Sequence, residues 1–389
     1  MAEADNNLST TSLLNNYLLL AVRSRASDIH FEPDKNFLRV RLRIDGRLKE
    51  VGKEHPDMRN QVVARIKVLG EVDMGEKKQN IDGRFPIKLA GESLDIRFSI
   101  FPTIHGEAVV LRVLHTANIE LGLEPLGMNA NQLETYKKLI HKPYGLLLVT
   151  GPNGSGKTTT LYSSLNSINS IEKSIVTLED PVEYHLPLLR QTQIDPDREI
   201  TFSSGLKALL RQDPDVIMVG EIRDLDTAKI AVQASLTGHL VFSTLHTNNS
   251  IGALVRLLNM GVESFLVAYA TLGVVAQRLV KQICSDCKEA YMPSAELLKT
   301  FNIDKPTEFY RGKGCQACDH TGYRGRTAIF ELFVVTDEVR KLILKKASFD
   351  EIFLQARNQG MKTLREHGVE KITQGLTTPE EVILMTEIQ

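Results

Sequence analysis

Gly151-Pro152-Asn153-Gly154-Ser155-Gly156-Lys157-Thr158 satisfies the pattern GxxxxGK[ST] in full. It follows the apolar run Leu146–Thr150 and precedes a helical stretch opening at Thr159, the strand–loop–helix context that a phosphate-binding loop needs. Its glycines let the backbone curl so that successive N–H groups face the β- and γ-phosphates, with a helix N-terminus behind them. Lys157 would bring positive charge to the transferring phosphate, and the Thr158 hydroxyl would ligate Mg²⁺. Such a loop needs an acidic partner at the end of a neighbouring strand. Asp215-Val216-Ile217-Met218-Val219-Gly220-Glu221 supplies one, with Glu221 expected to hold magnesium through water and to polarise the attacking water. The competing reading of Glu221 is a strand-end carboxylate in a surface ion pair.

A second acidic cluster, Glu179-Asp180-Pro181-Val182-Glu183, follows another apolar strand. One of its carboxylates could orient or deprotonate water, although the cluster alone decides nothing. Two histidines, His239 and His246, bracket the apolar segment Leu240–Leu245. A histidine beside a γ-phosphate can donate to its oxygens and so sense it; satisfied strand-end histidines are the plain alternative.

All four cysteines fall in two CxxC pairs, Cys284/Cys287 and Cys315/Cys318. Each CxxC turn offers two thiolates on one side, which suits a tetrahedral structural zinc with no open position for water. The intervening residues 288–314 exceed the common ribbon spacing of about 15–20, so they are expected to form a small subdomain. Redox activity or free thiols is the alternative, but no thioredoxin-like context is visible.

These residues need a scaffold. Val40-Arg41-Leu42-Arg43-Ile44 alternates and meets an Asp45-Gly46 turn; a helix follows at Met58–Leu69, then a second turn is expected at Asp82-Gly83. With strand candidates Leu94–Ile100 and Ala108–Leu114, residues 1–115 read as a small α+β domain. Residues 116–128, with Gly122, Pro125 and Gly127, read as a hinge. Beyond it, helices alternate with apolar strands at Leu146–Thr150, Ser174–Leu178, Val216–Val219 and Leu240–Ser243, the pattern of a mostly parallel sheet over residues 129–283. The cysteine subdomain is expected over 284–330 and a helical region over 331–389.

The composition excludes several classes. Across 389 residues, 47 Lys+Arg against 48 Asp+Glu leave no whole-chain footprint for nucleic acid. Residues 281–326 carry eight Lys/Arg against six Asp/Glu, a weak basis for phosphate-backbone binding. The N-terminus has no positive n-region, and the longest apolar stretches are far shorter than the ~18 residues of a membrane span. Four cysteines in so long a chain do not make a disulfide scaffold.

Taken in order, these motifs resemble the secretion ATPases of type II secretion and type IV pilus assembly, over nearly the whole chain. Ala26-Ser27-Asp28-Ile29-His30-Phe31-Glu32-Pro33 and Arg43-Ile44-Asp45-Gly46 are similar to that family's second N-terminal domain. The phosphate loop, the acidic box 179–183, the region from Arg211 through Arg223-Asp224, the histidine box 237–247, Gln277-Arg278-Leu279, the cysteine pairs and Gly325-Arg326-Thr327-Ala328 complete the series.

The resemblance implies a RecA-like P-loop ATPase core with a smaller N-terminal α+β (PAS-like) domain and a tetracysteine zinc subdomain. It implies ATP, Mg²⁺ and Zn²⁺ as cofactors, Glu183 as the water-orienting base, Glu221 as the magnesium acid, and His239 and His246 as nucleotide-linked. It also implies Arg97 and Arg112 as arginines set against the γ-phosphate, with Arg211 a weaker candidate; alternation alone would make each of these a solvated strand face. The expected assembly is a homo-hexamer in the cytoplasm. It would be peripheral to the inner membrane, working on a platform protein and a membrane-anchored docking protein, with type II secretion favoured over type IV pilus assembly. Longer members carry a further N-terminal region for docking, whereas this chain opens almost at the second domain. Other readings are a pilus-retraction motor, which resembles this pattern without the cysteines, a DNA-translocating or conjugative ATPase, and a zinc-dependent binding module with a vestigial nucleotide site.

Overall fold

The computed structural model describes residues 10–72, 80–89, 91–115 and 121–387. The chain divides into two compact units, Met1–Ile119 and Glu120–Gln389. Residues 116–120 of the expected hinge lie outside the described residues. The remainder of that stretch is part of the second unit, with Leu123 and Met128 buried in its core and Leu121 O accepting from Asn166 Nδ2 at 2.8 Å.

In the first unit the order is α1 (Thr10–Arg23), β1 (Asp28–Pro33), β2 (Leu38–Ile44), β3 (Arg47–Glu54), α2 (Met58–Leu69), β4 (Ile81–Leu89), β5 (Glu92–Thr103) and β6 (Gly106–His115). The strands form one antiparallel sheet in the order β3-β2-β1-β6-β5-β4. Strict alternation buries Leu38, Val40 and Leu42 of β2 and Val109, Leu111 and Val113 of β6, and the helices add Leu14, Leu18, Val62 and Ile66 to the same core. Asp45 and Gly46 both take positive φ, the geometry of a tight two-residue hairpin. Asp82-Gly83 makes no turn. Both residues lie inside β4, where a Cβ on Gly83 would fall 2.4 Å from the Phe98 ring, so the glycine admits a core aromatic rather than reversing the chain.

The second unit runs α3 (Ala130–Ile140), β7 (Gly145–Thr150), α4 (Lys157–Ile168), β8 (Ile175–Glu179), β9 (Arg190–Gln193), α5 (Phe202–Leu209), β10 (Val216–Val219), α6 (Leu225–Leu236), β11 (Leu240–Leu245), α7 (Ser250–Asn259), α8 (Ser264–Ala270), β12 (Thr271–Ile283), β13 (Lys288–Tyr291), α9 (Ala295–Thr300), β14 (Phe309–Gly312), β15 (Tyr323–Val334), α10 (Asp337–Leu344), α11 (Phe349–Asn358), α12 (Leu364–Thr373) and α13 (Pro379–Thr386). Its main sheet has the order β15-β12-β7-β11-β10-β8-β9, parallel throughout except at the β12–β15 edge. Every residue of β7, β8, β10 and β11 is buried, as helices on both faces of a parallel sheet require.

The residues expected as a cysteine subdomain, 284–330, run on into the main sheet. β15 begins at Tyr323, runs through residue 330 and pairs with β12 in the main sheet. Phe301 and Phe309 share a core with Val280, Ile329, Leu364, Ile372 and Val382, so the cysteine region and the last helices are packed as one body.

Candidate active site

Parallel pairing of β7, β8, β10 and β11 sends the C-terminal ends of all four strands to one edge, and everything attached there is brought together. The phosphate loop leaves β7, the Glu221 turn leaves β10, His246 follows β11, and the acidic box follows β8.

The loop conformation depends on its glycines at two places. Gly156 caps α4 with φ 89°, and a side chain on Gly151 (φ 152°) would come within 2.5 Å of Gln277 O and 2.6 Å of Ser155 Oγ. The half-buried Lys157 donates to Gly151 O (2.9 Å) and Pro152 O (3.1 Å). Burial pulls its pKa down, Glu221 opposes that pull, and Arg278 adds to it. Ser155 Oγ is buried without a hydrogen-bond partner among the described residues, and Thr158 opens the first turn of α4. A helix N-terminus, a glycine cradle, a lysine and an orphaned hydroxyl form a donor set that fits a phosphate.

Opposite the loop, Thr244 Oγ1 donates to Gly220 O (2.7 Å) and fixes the turn that carries Glu221. The largely buried Glu221 carboxylate is paired with Arg223, which also lies 3.7 Å from Asp180, and it stands 3.4 Å from His246 Nε2. Its hydrogen bond raises the Arg223 pKa. Asp224 serves as the N-cap of α6, accepting from Thr227 N at 2.8 Å.

The acidic box divides into distinct roles. Glu179 is buried and accepts from Tyr162, from Thr177 Oγ1 (2.5 Å) and from Gln191 Nε2 (3.1 Å), so it is a structural carboxylate. Tyr162 in turn accepts the Glu183 N–H at 3.2 Å and hangs the Glu183 backbone from α4. Glu183 is partly buried and Asp180 is exposed.

The two histidines separate. Leu240 of β11 pairs with Gly145 and Leu245 with Thr150, so His246 lies at the phosphate-loop edge while His239 lies at the opposite edge, about 20 Å away along the strand. His239 Nδ1 bonds Ala234 O at 3.0 Å. The register therefore removes His239 from the nucleotide site of its own chain. Arg211, just beyond α5, is exposed and donates to Lys207 O at 3.0 Å.

A further pair, Gln277 and Arg278, backs the loop and has no role among the motif expectations. Ala276 of β12 lies beside Thr150, which carries Gln277 and Arg278 alongside the loop itself. Gln277 Oε1 accepts from Thr160 Oγ1 of α4 at 2.7 Å, and both side chains are buried. A polar pair inside the apolar run Val274–Val280 was the available signal.

The cysteine sulfurs lie within 4.8 Å of one another, with Cys284–Cys315 and Cys287–Cys318 at 3.9 Å and Cys315–Cys318 at 3.8 Å. Four thiolates on a tetrahedral zinc with bonds near 2.3 Å would stand about 3.8 Å apart, so the donor set fits the ion. Burial opposes ionisation of Cys318, but N–H groups of Cys315 and Gly322 outweigh it and hold its pKa down, to about 6.

Residues 3–384 match the type II/IV secretion system protein family. The chain belongs to that family. It is 46% identical to the type II secretion system ATPase E of Vibrio cholerae, over all of this chain and 77% of that protein. Its identity to the type IV pilus assembly ATPase PilB of Thermus thermophilus is also 46%, over 93% of this chain and 41% of PilB. The crystal structure of the pilus retraction motor PilT with bound ADP superposes with a TM-score of 0.68 at 27% identity, covering 96% of each chain. The secretion-family core is thus a P-loop α/β fold, with the cysteine region built onto its sheet edge. In the first unit of this family member, Arg97 and Arg112 are directly opposed across β5 and β6, and Arg112 Nε donates to Asp28 Oδ1 at 3.1 Å.

Proposed function

We propose that this chain is the ATP-hydrolysing motor of a type II secretion system, acting as a homo-hexamer on the cytoplasmic side of the inner membrane. One observation carries the reading: Lys157, Thr158, Glu221 and His246 share one sheet edge in a chain that is 46% identical to a type II secretion ATPase along its whole length. ATP with Mg²⁺ supplies, when bound, a transferable phosphoryl group and the ion that neutralises it. Lys157 and the loop N–H groups hold the phosphates, Thr158 and Glu221 hold the ion, and Ser155 turns its hydroxyl to the same anion. Glu183 orients the attacking water, and Arg97 and Arg112 complete the charge around the γ-phosphate. His246, against Glu221, reports the state of the site. His239 serves an edge away from its own chain's nucleotide. The four cysteines hold zinc as a staple, without a catalytic role.

Hydrolysis then drives assembly of a pseudopilus through a platform protein and a membrane-anchored docking protein. No helix among the described residues is long and apolar enough to cross a membrane, which suits recruitment by such partners. Type IV pilus assembly is the second reading, favoured by the equal identity to PilB. The deciding experiment compares ATP turnover of the wild type and Lys157→Ala over a range of protein concentrations. A loss of about 100-fold or more on substitution is expected, with wild-type specific activity rising with concentration. Undiminished turnover by Lys157→Ala would sink the reading.

A further inference from the structure

We infer that Arg278 is a positioning residue that ties the loop bearing His246 to the phosphate loop, so that the two move as one when nucleotide charge changes. The inference rests on the proposed roles of Lys157 and His246 and adds the connection between them.

Arg278 is 6% exposed, yet its two hydrogen bonds run to backbone carbonyls: Nη1 to Gln277 O at 3.1 Å and Nη2 to Asn248 O at 2.8 Å. Burial lowers its pKa, and the charge of Glu331 opposes this. A buried guanidinium held by neutral carbonyls next to a second cation, Lys157, is a poor stabilising device. The arrangement gains from anionic charge entering the phosphate loop. The contact to that loop is close, because a Cβ on Gly151 would lie 3.2 Å from Arg278 Nη1.

Asn248 stands two residues beyond His246. The intervening Thr247 is anchored to the root of the phosphate loop, its N–H donating to Thr150 Oγ1 (2.9 Å) and its hydroxyl 2.7 Å from the same oxygen. Downstream, Ser250 N donates to the buried Glu331 of β15 at 2.9 Å. The His246 loop is therefore clamped to β7 by Thr150, to β12 by Arg278 and to β15 by Glu331, while His246 itself is free to meet Glu221. Only a planar fork reaches Gln277 O and Asn248 O together, and a lysine ammonium in its place would hold one at a time.

The test is a double-mutant cycle on the full chain with Mg²⁺-ATP, measuring kcat, nucleotide-analogue affinity and Tm for Arg278→Lys, His246→Ala and the pair. Arg278→Lys is expected to lower kcat about tenfold, keep analogue affinity within about twofold, and add less than about twofold once His246 is alanine. A merely structural arginine would lower kcat by the same factor in both backgrounds, and that result overturns the inference. A His246→Ala variant with unchanged kcat, beside an inactive Lys157→Ala, overturns instead the role of His246 beneath it. If Arg278→Lys does not fold, Thr150→Val releases the other anchor of the same loop, because it removes the oxygen that both the Thr247 N–H and hydroxyl meet. The same dependence on His246 is then expected, and independence of His246 counts against the clamp.

Discussion

The Asp28 carboxylate accepts from Arg112 Nε at 3.1 Å, and the exposures of the partners are opposed: 8% for the aspartate and 64% for the arginine. Ser27 Oγ donates to the other carboxylate oxygen at 2.7 Å, and Arg43 Nε lies 3.6 Å from it. Register extends the group into one transverse row, Arg43–Asp28–Arg112–Arg97–Arg84, across five strands of the first sheet. A single nearly buried negative charge thus aims one arginine of a basic row outward.

Arg112→Ala leaves Asp28 with Arg43 and Ser27 alone, and should cost about 1 kcal/mol of stability while removing an arginine from the proposed phosphate site. Arg112→Lys should restore most of that stability but not turnover, since an ammonium replaces one donor and not the fork. Denaturant titration read beside steady-state hydrolysis checks both. A fully active Arg112→Lys would remove Arg112 from the chemistry.

Glu221→Gln keeps the volume of the side chain and removes its charge. Arg223, whose side chain is 60% exposed, loses its partner to solvent, so the fold should change by less than about 1 kcal/mol. Nucleotide affinity should stay within a few-fold while turnover falls about 10²–10⁴-fold, the range for losing a group that acts on the attacking water. Equal losses in affinity and turnover would instead make Glu221 a binding residue only.

The parts that could be read from the chain are those whose signal is local. Met58–Leu69 is a helix to the residue, and the largely apolar strands β7, β10 and β11 are where their composition puts them. The phosphate loop is legible because strand, glycines and helix are contiguous. What was hidden is set by pairing between distant segments. β12 and β15 are separated by 39 residues of chain yet run as one antiparallel ladder, so the cysteine-bearing segment between them leaves from and returns to the main sheet. Gly83 imitates a turn signal because its true reason, the Phe98 ring, lies on another strand. His239 and His246 bracket one strand, and only the parallel pairing of β11 with β7 puts His246 rather than His239 at the phosphate-loop edge.

Metal analysis of the purified chain should give about one zinc, and Cys287→Ser should abolish stoichiometric binding. Cys287 lies at the end of the turn leading into β13, and its sulfur accepts from Gly314 N at 3.3 Å, so the site closes the β13–β14 hairpin. Chelation should therefore accelerate amide exchange in Lys288–Gly312 well before the parallel sheet opens. The phosphate loop should stay protected, because it belongs to another strand end. Protein with wild-type stability and no metal would eliminate the site.

His367 provides a pH-dependent signature of the second unit. Its ring is buried on α12, where Nδ1 accepts from Phe330 N at 2.9 Å. Burial, reinforced by Lys371, lowers its pKa from 6.5 to about 4. The folded state therefore keeps the ring neutral while the unfolded chain takes up a proton below about pH 6.5. The unfolded state binds more protons in this window, so stability rises with pH and is lost as pH falls from about 6.5 toward 4, by roughly 2–3 kcal/mol in all. The carboxylates of Glu366 and Glu370, held below their ordinary range chiefly by Arg357 and Lys362 against burial, add their own loss only near and below pH 4.5. His30, whose pKa burial also lowers, and the zinc thiolates respond to acid in the same interval, so the histidine's part is read as the difference between wild type and a variant that cannot titrate at 367. His367→Gln preserves an acceptor for the Phe330 N–H and cannot titrate. It should be less stable than wild type at pH 7.5 by about 1–2 kcal/mol, the scale of a perturbed buried hydrogen bond. Its stability should also fall less than that of the wild type between pH 6.5 and 4.5, by the histidine's share of about 2–3 kcal/mol. Parallel profiles of wild type and variant would show that the ring is protonated in the folded chain.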